Sequence, residues 1–185
     1  PITQSNYIMS MNSNNAEQIT KQLYPADNYD EGKLLRLTQQ YFLVSASLQS
    51  IISDYFAENG SLAGFENKIS IHINDTHPAL SIPELMRILL DDCGYSWDKS
   101  WYIVTNTFAY TNHTVMAEAL EKWDVNLVRQ ITPRIFAIIC EINRRYCEDL
   151  FKRTQNGEKV TKMSIIQDNK VHMANLCVAA SHSVN

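Results

Sequence analysis

The stretch Lys68 to Glu84, KISIHINDTHPALSIPE, decides the fold, because a period-two apolar run breaks there into a polar knot and then restarts as a helix. Ile69, Ile71 and Ile73 share one face of a strand, with Ser70, His72 and Asn74 on the other. Asn74, Asp75, Thr76 and His77 follow at once. Pro78 offers no amide donor and disfavours a helical His77, so these polar residues sit on an extended exit and the next helix begins near Ser81-Ile82-Pro83-Glu84. Strand, polar loop and helix make a βα unit. In open α/β sheets ligands bind outside the carboxyl ends of the strands, so the four polar side chains read as the lip of a site.

Working outward, Leu34, Leu37, Tyr41, Val44, Leu48 and Ile52 recur at three or four residues and predict a long helix from Lys33 to the Glu58-Asn59-Gly60-Ser61 cluster. Residues 1–22 carry weak periodicity, read as a helix or two, and Leu23 to Gly32 reads as a loop. Beyond the polar knot, Leu85, Ile88 and Leu89 line one helix face that stops at Gly94, and Ser96-Trp97-Asp98-Lys99 starts another helix. Phe108 to Val115, FAYTNHTV, reads as a strand or extended exit with a second polar cluster, Thr111-Asn112-His113-Thr114. Ala117 to Trp123 is assigned to one helix, and Val125 to about Phe151 to a long one broken or entered at Pro133. Thr154 to Lys159 reads as a turn. Val160 to Ile166 and Val171 to Val184 are open between strand and helix, with helix favoured for Met173 to Ala180.

The 185 residues suit one domain, and the chain reads as a piece of a longer protein, starting at Pro1 and ending inside an apolar-polar pattern. Sixteen Lys and Arg against twenty Asp and Glu give a net charge of −4 with no basic cluster, which argues against nucleic acid and anionic membranes as partners. No apolar run approaches the ~18 residues of a membrane span, so the cytoplasm is the default. The four cysteines lack CxxC spacing and read as buried free thiols.

The two polar clusters, Asn74 to His77 and Thr111 to Thr114, share a form, each at the end of a β-type run. Converging strand ends would bring them to one cleft. Against this stands the plainer reading that Asn, Asp and Thr close Asx turns and cap helices. Zinc is disfavoured, because His72 and His77 lie five apart across a proline turn, unlike helical or finger spacings. No GxSxG elbow and no glycine-rich phosphate loop occur. Neutral hydrogen-bonding side chains with a carboxylate and imidazoles suit a sugar, whose hydroxyls both donate and accept. Tyr24 and Tyr29 offer stacking surface, or ordinary half-buried packing.

Five runs go further. LYPADNYDEGKLLRLTQQYFLVSASLQSII at 23–52, KISIHINDTHPALSIPELMRIL at 68–89, FAYTNHTVMAEALEKW at 108–123, ITPRIFAIICEINRRY at 131–146 and MSIIQDNKVHMANLCVAASHSVN at 163–185 resemble, in order, the glycogen, starch and maltodextrin phosphorylases. The resemblance implies an α/β fold, part of a Rossmann-like N-terminal domain in a two-domain glycosyltransferase-B-type architecture, helix-rich with a mainly parallel sheet. Residues 1–185 would form a single partial domain, with the pyridoxal-phosphate-binding C-terminal domain outside it. It implies transfer of a terminal glucosyl unit of an α-1,4-glucan to inorganic phosphate, with pyridoxal 5'-phosphate as cofactor of the full-length enzyme on a lysine that is not in this chain, a homodimer when full length, and an inactive isolated fragment.

Residue by residue, His113 resembles the histidine that touches the glucosyl unit through its 6-hydroxyl, and Asn28 a sugar-binding asparagine. Asp27 and Asn28 fall in the family's gate loop, while Asp75 and His77 match residues lining the cleft; no metal is implied. Two departures matter. Ser53-Asp54 stand where animal members carry regulatory arginines, so such control is not expected, and Ala26 replaces the gate's common asparagine. A non-catalytic glucan-binding module of the same fold, and a sugar-nucleotide glycosyltransferase, are the alternatives that fold likeness alone leaves open.

Overall fold

The structure, a computed structural model, describes residues 19–21, 25, 30–114, 116 and 120–185. Residues 19–21 are helical. The rest of the helix expected over 1–22, and the loop residues Leu23, Tyr24, Ala26, Asp27, Asn28 and Tyr29, lie outside the described residues. The expected long helix is present as α1, Asp30–Asn59, and starts earlier than predicted. Asp30 and Glu31 favour that start, since carboxylates in a first turn complement the helix dipole. Gly32, read as part of the loop, is already helical and buried.

A short helix α2, Phe65–Lys68, leads into β1, Ile71–Asn74. The alternation holds: Ile73 is buried while His72 and Asn74 are exposed. After turns through Pro78, helix α3 spans Ser81–Arg87 and widens into a π-helical turn over Ile88–Asp92. Every residue of α3 is buried, which places it at the centre of the core. Pro83 is tolerated in its first turn because amides there have no intrahelical acceptor. Gly94 ends the segment at φ 68, a left-handed geometry that glycine adopts without steric cost. Helix α4, Trp97–Thr107, then starts on the Ser96 hydroxyl, which accepts from the Lys99 amide at 3.4 Å.

Strand β2, Phe108–Thr111, follows and pairs parallel with β1 in the register Ile71↔Phe108 to Asn74↔Thr111. Next come β3, Lys122–Asp124; α5, Val125–Ile131; and α6, Pro133–Thr154, which opens on its proline. Then follow α7, Gly157–Met163; β4, Ile166–Gln167; β5, Lys170–His172; α8, Met173–Ala180; and β6, Ser183–Val184. The parallel sheet has the order β1-β2-β6, and a second, antiparallel sheet has the order β3-β5-β4. The fold is therefore α/β with a parallel sheet, but the sheet content is not as uniformly parallel as the sequence implied.

Three local readings are corrected. Lys122 and Trp123, assigned to a helix, form β3 instead, because Trp123 packs into the core opposite Val171 of β5. Gly157 to Lys159, read as turn, begin α7, whose first turn is capped by Asn156 accepting from Lys159 at 3.0 Å. The β4–β5 hairpin was not anticipated. Its two-residue turn, Asp168 (φ 51) and Asn169 (φ 57), uses side chains that tolerate the positive φ such turns demand. All four cysteines are free, but only Cys177 is fully buried; Cys93, Cys140 and Cys147 are half-buried.

A buried charge cluster ties α1 to α3. Glu84, with no exposed surface, accepts from Tyr41 Oη at 2.8 Å and Ser45 Oγ at 3.0 Å, and takes both forks of Arg87 at 3.0 Å. Arg87 also reaches Asp92 at 3.1 Å, five residues on, a spacing that the π turn brings onto one face. Burial, and then the Glu84 charge, push the Tyr41 phenol well above its usual range, so it stays a donor. Replacing Glu84 with Ala would leave Arg87 with Asp92 as its remaining partner and deprive Tyr41 and Ser45 of their acceptor, and should cost ~3–5 kcal/mol, whereas Tyr41→Phe removes one donor and should cost roughly 1.5–3 kcal/mol. Denaturant titration of both variants checks the ranking, which equal losses would contradict.

Candidate functional site

The site is built at the carboxyl ends of β1 and β2. Parallel pairing sets Asn74 beside Thr111, and the ladder continues one step further, with the Asp75 amide donating to the Thr111 carbonyl at 3.0 Å. On the other side of β2, the Asn112 amide donates to the carbonyl of Asn185 at 3.0 Å, and Asn185 returns a bond to Tyr110 at 2.9 Å. Across this edge, Asp75 Oδ1 accepts the backbone N–H of His113 at 3.1 Å. The two polar clusters, 38 positions apart in the chain, thus meet directly.

Asp75 makes that contact from a left-handed backbone, φ 93, which aspartate tolerates better than most residues because its short polar side chain bonds locally. A non-glycine residue held there is often a sign of function. Asp75 is half-buried, and His77 and His113 are exposed. The His113 imidazole and the His77 side chain make no hydrogen bond to a described residue. His72 Nε2 pairs with Thr111 Oγ1 at 2.7 Å and belongs to the sheet surface. Asn112 Nδ2 donates to the Thr114 carbonyl at 2.5 Å, so this asparagine shapes the loop, as the plainer reading of the cluster holds.

One residue escaped the sequence reading. Glu121, just before β3, accepts from Thr76 Oγ1 at 3.0 Å and from Gln40 Nε2 at 2.9 Å, with Arg36 at 3.8 Å. Nothing in the local pattern marks it, since its partners come from elsewhere in the chain. Beneath the edge, Tyr110 is buried with no hydrogen-bond partner for its hydroxyl among the described residues. Burial, then the neighbouring Cys177 and Asp75, push its phenol up to about 12, so it remains protonated at neutral pH. The Cys177 thiol is raised further by burial and by Glu121, which keeps it an inert thiol.

Among the described residues no group of three His, Cys, Asp or Glu side chains is arranged to hold a metal ion. Nor does the edge fit pyridoxal 5'-phosphate by itself. Asn74, Asp75, His77, Asn112, His113 and Asn185 include no lysine to carry an imine and no arginine or lysine for its phosphate. What the edge does present is a carboxylate, two imidazoles and amide groups at a sheet's carboxyl end, groups that can donate and accept hydrogen bonds.

Fold and edge therefore define an α/β protein with a polar lip at the carboxyl ends of its parallel strands. The carbohydrate phosphorylase family model matches residues 2–185, and the chain belongs to that family. It is 49% identical over 170 residues to glycogen phosphorylase of Bacillus subtilis (strain 168), covering 91% of this chain and 21% of the relative. It is 48% identical over 181 residues to the cytosolic alpha-glucan phosphorylase 2 of Arabidopsis thaliana, covering 92% and 21% respectively. With the liver form of human glycogen phosphorylase it shares 44% identity over 187 residues, 95% of this chain and 22% of that one. The chain spans about a fifth of the length of these curated relatives. No described helix is long and apolar enough to cross a membrane.

The Asp75 contact gives a direct test. Asp75→Asn keeps an acceptor oxygen and tolerates the left-handed backbone, so unfolding should shift by less than about 1 kcal/mol. Asp75→Ala loses the charge-assisted bond and leaves a β-carbon at positive φ, for an expected cost of roughly 2–3 kcal/mol. Thermal unfolding of the two variants distinguishes them.

Proposed function

We propose that the protein to which this chain belongs is an α-1,4-glucan phosphorylase. It moves the terminal glucosyl unit of glycogen or maltodextrin onto inorganic phosphate and yields glucose 1-phosphate. The observation that carries the reading is the Asp75–His113 bond, which joins two family motifs, NDTHP and YTNHT, into one lip at the end of a parallel sheet. In this proposal the chain is the central part of a Rossmann-like N-terminal domain in a glycosyltransferase-B-type enzyme. The cofactor would be pyridoxal 5'-phosphate, which a lysine outside these residues would hold and whose phosphate group would serve the phosphate chemistry. The enzyme works in the cytoplasm as a homodimer.

The roles of the residues follow from the chemistry. Phosphorolysis breaks the bond from the anomeric carbon to the chain oxygen and makes one to a phosphate oxygen, with positive charge developing on the sugar between the two. Fixed dipoles and a carboxylate near that carbon favour such charge, because they need no reorganisation as it appears. His113 contacts the glucosyl unit, and Asp75 holds the backbone that carries it. His77 lines the cleft. Asp27 and Asn28 belong to the gate, with Asn28 binding sugar, and closure excludes the water that would otherwise hydrolyse the reacting glucosyl unit.

The full-length protein should release glucose 1-phosphate from maltoheptaose only when phosphate is supplied; absence of phosphate-dependent release would leave a glucan-binding module as the reading. In the active enzyme, His113→Ala should lower kcat/KM on the order of 100-fold, the scale of losing one transition-state contact. An unchanged kcat/KM would remove His113 from the site.

A further inference from the structure

We infer that Glu121 is a positioning residue, clamping the loop after β1 to helix α1 and so holding the lip of the proposed site in register. The inference rests on the phosphorylase reading for its effect on catalysis, and on geometry alone for the clamp.

The carboxylate is shared between two separate parts of the chain. Oε2 takes the hydroxyl of Thr76, which lies between Asp75 and His77 and is itself buried. Oε1 takes the side-chain amide of Gln40, with the guanidinium of Arg36 one helical turn away on the same face of α1. These partners are 45 and 81 positions distant from Glu121. The Glu121 side chain is only 12% exposed, so its bonds act in a medium of lower polarity than water and are correspondingly stronger.

The carboxylate also stands on a fixed post. The Glu121 carbonyl accepts the amide of Met173 at 3.1 Å, which ties its backbone to the start of α8. A local capping role is already filled by another residue, since Asp124 Oδ1 accepts from Asn126 at 2.8 Å and caps α5. Glu121 therefore serves the loop and α1. The loop it grips is the one whose next-door residue, Asp75, sits at φ 93 and holds His113. A backbone in that conformation persists only when its surroundings over-determine it, and Thr76 is the adjoining point at which the surroundings hold on.

Gln40 makes the conservative variant informative. Its Oε1 is buried without a hydrogen-bond partner among the described residues, where the amide is oriented by Glu121 through its nitrogen. In Glu121→Gln the new side chain keeps one acceptor for Thr76, and Gln40 can turn over and accept from the new amide. In Glu121→Ala neither contact survives. Thr76→Val, of similar shape, removes the hydroxyl only.

The test uses the full-length protein and two readouts. In Glu121→Ala and in Thr76→Val, backbone amides at 75–77 and 113 should exchange with deuterium at least about tenfold faster. Those of α6 should be unchanged, and Glu121→Gln should restore most of the protection. In phosphorolysis of maltoheptaose, Glu121→Ala should lower kcat/KM by about tenfold or more, with kcat reduced, since misplacing a contact group costs rate. The double variant with Thr76→Val should be no worse than Glu121→Ala alone. Unchanged exchange at 75–77, equal loosening of α6, or additive losses would overturn the clamp. Should the unsubstituted protein lack phosphate-dependent release, the phosphorylase reading fails, while the exchange pattern still decides for or against the clamp.

Discussion

The parallel pairing of β1 with β2 is the constraint on which the rest of the molecule depends. Two four-residue strands, far apart in sequence, become neighbours only if the chain between them turns back across a face of the sheet. Helix α3, the π turn and α4 supply that crossover, and the burial of α3 on all sides shows how much of the core is committed to it. Once Asn74 stands beside Thr111, their exits leave at the same edge, and the Asp75–His113 contact needs only one left-handed residue to complete.

The crossover is secured by polar as well as apolar forces. A carboxylate with no exposed surface is costly to desolvate, and Glu84 offsets this with four donors from Tyr41, Ser45 and Arg87. Such a cluster adds direction to a hydrophobic interface that would otherwise tolerate sliding, because α1 can meet α3 in only one register if Tyr41 and Ser45 are both to reach Glu84. Glu121 acts in the same manner closer to the edge, joining α1 to the loop after β1. One long helix is thus bonded at two levels, once to the core helix and once to the proposed binding lip.

The described elements cover one face of the parallel sheet more fully than the other. Ile73 and Tyr110 point into the core, whereas His72 and Asn74 are exposed. In doubly wound proteins helices cover both faces. The chain spans about a fifth of its relatives' length, and the family's full architecture is therefore wider than the part seen in this one. The strand-end edge itself carries neutral and acidic groups, Asn74, Asp75, His77, Asn112 and His113. Under the proposed phosphorolysis such donors and acceptors suit the glucosyl half, while the phosphate half would demand positive charge from residues outside this edge.

Much was legible in the chain by itself. Period-two alternation set the faces of β1, the 3.6-residue recurrence set α1 and α6, and Gly94, Ser96 and Pro133 marked helix boundaries through local sterics and capping. The NDTHP and YTNHT motifs named the polar lip before any geometry was available. Asp27 and Asn28, expected in a gate loop from the family resemblance, stand outside the described residues. Tertiary structure alone decided the rest. Trp123 became part of a strand because Val171 lies opposite it, and the 166–172 hairpin required a partner strand to make its short arms worthwhile. Glu121 acquired its role from residues 45 and 81 positions away. Sequence determines what depends on neighbours within a turn or two of the chain, since those forces are steric and local; which distant donor meets which buried acceptor is settled only when packing brings them within about 3 Å.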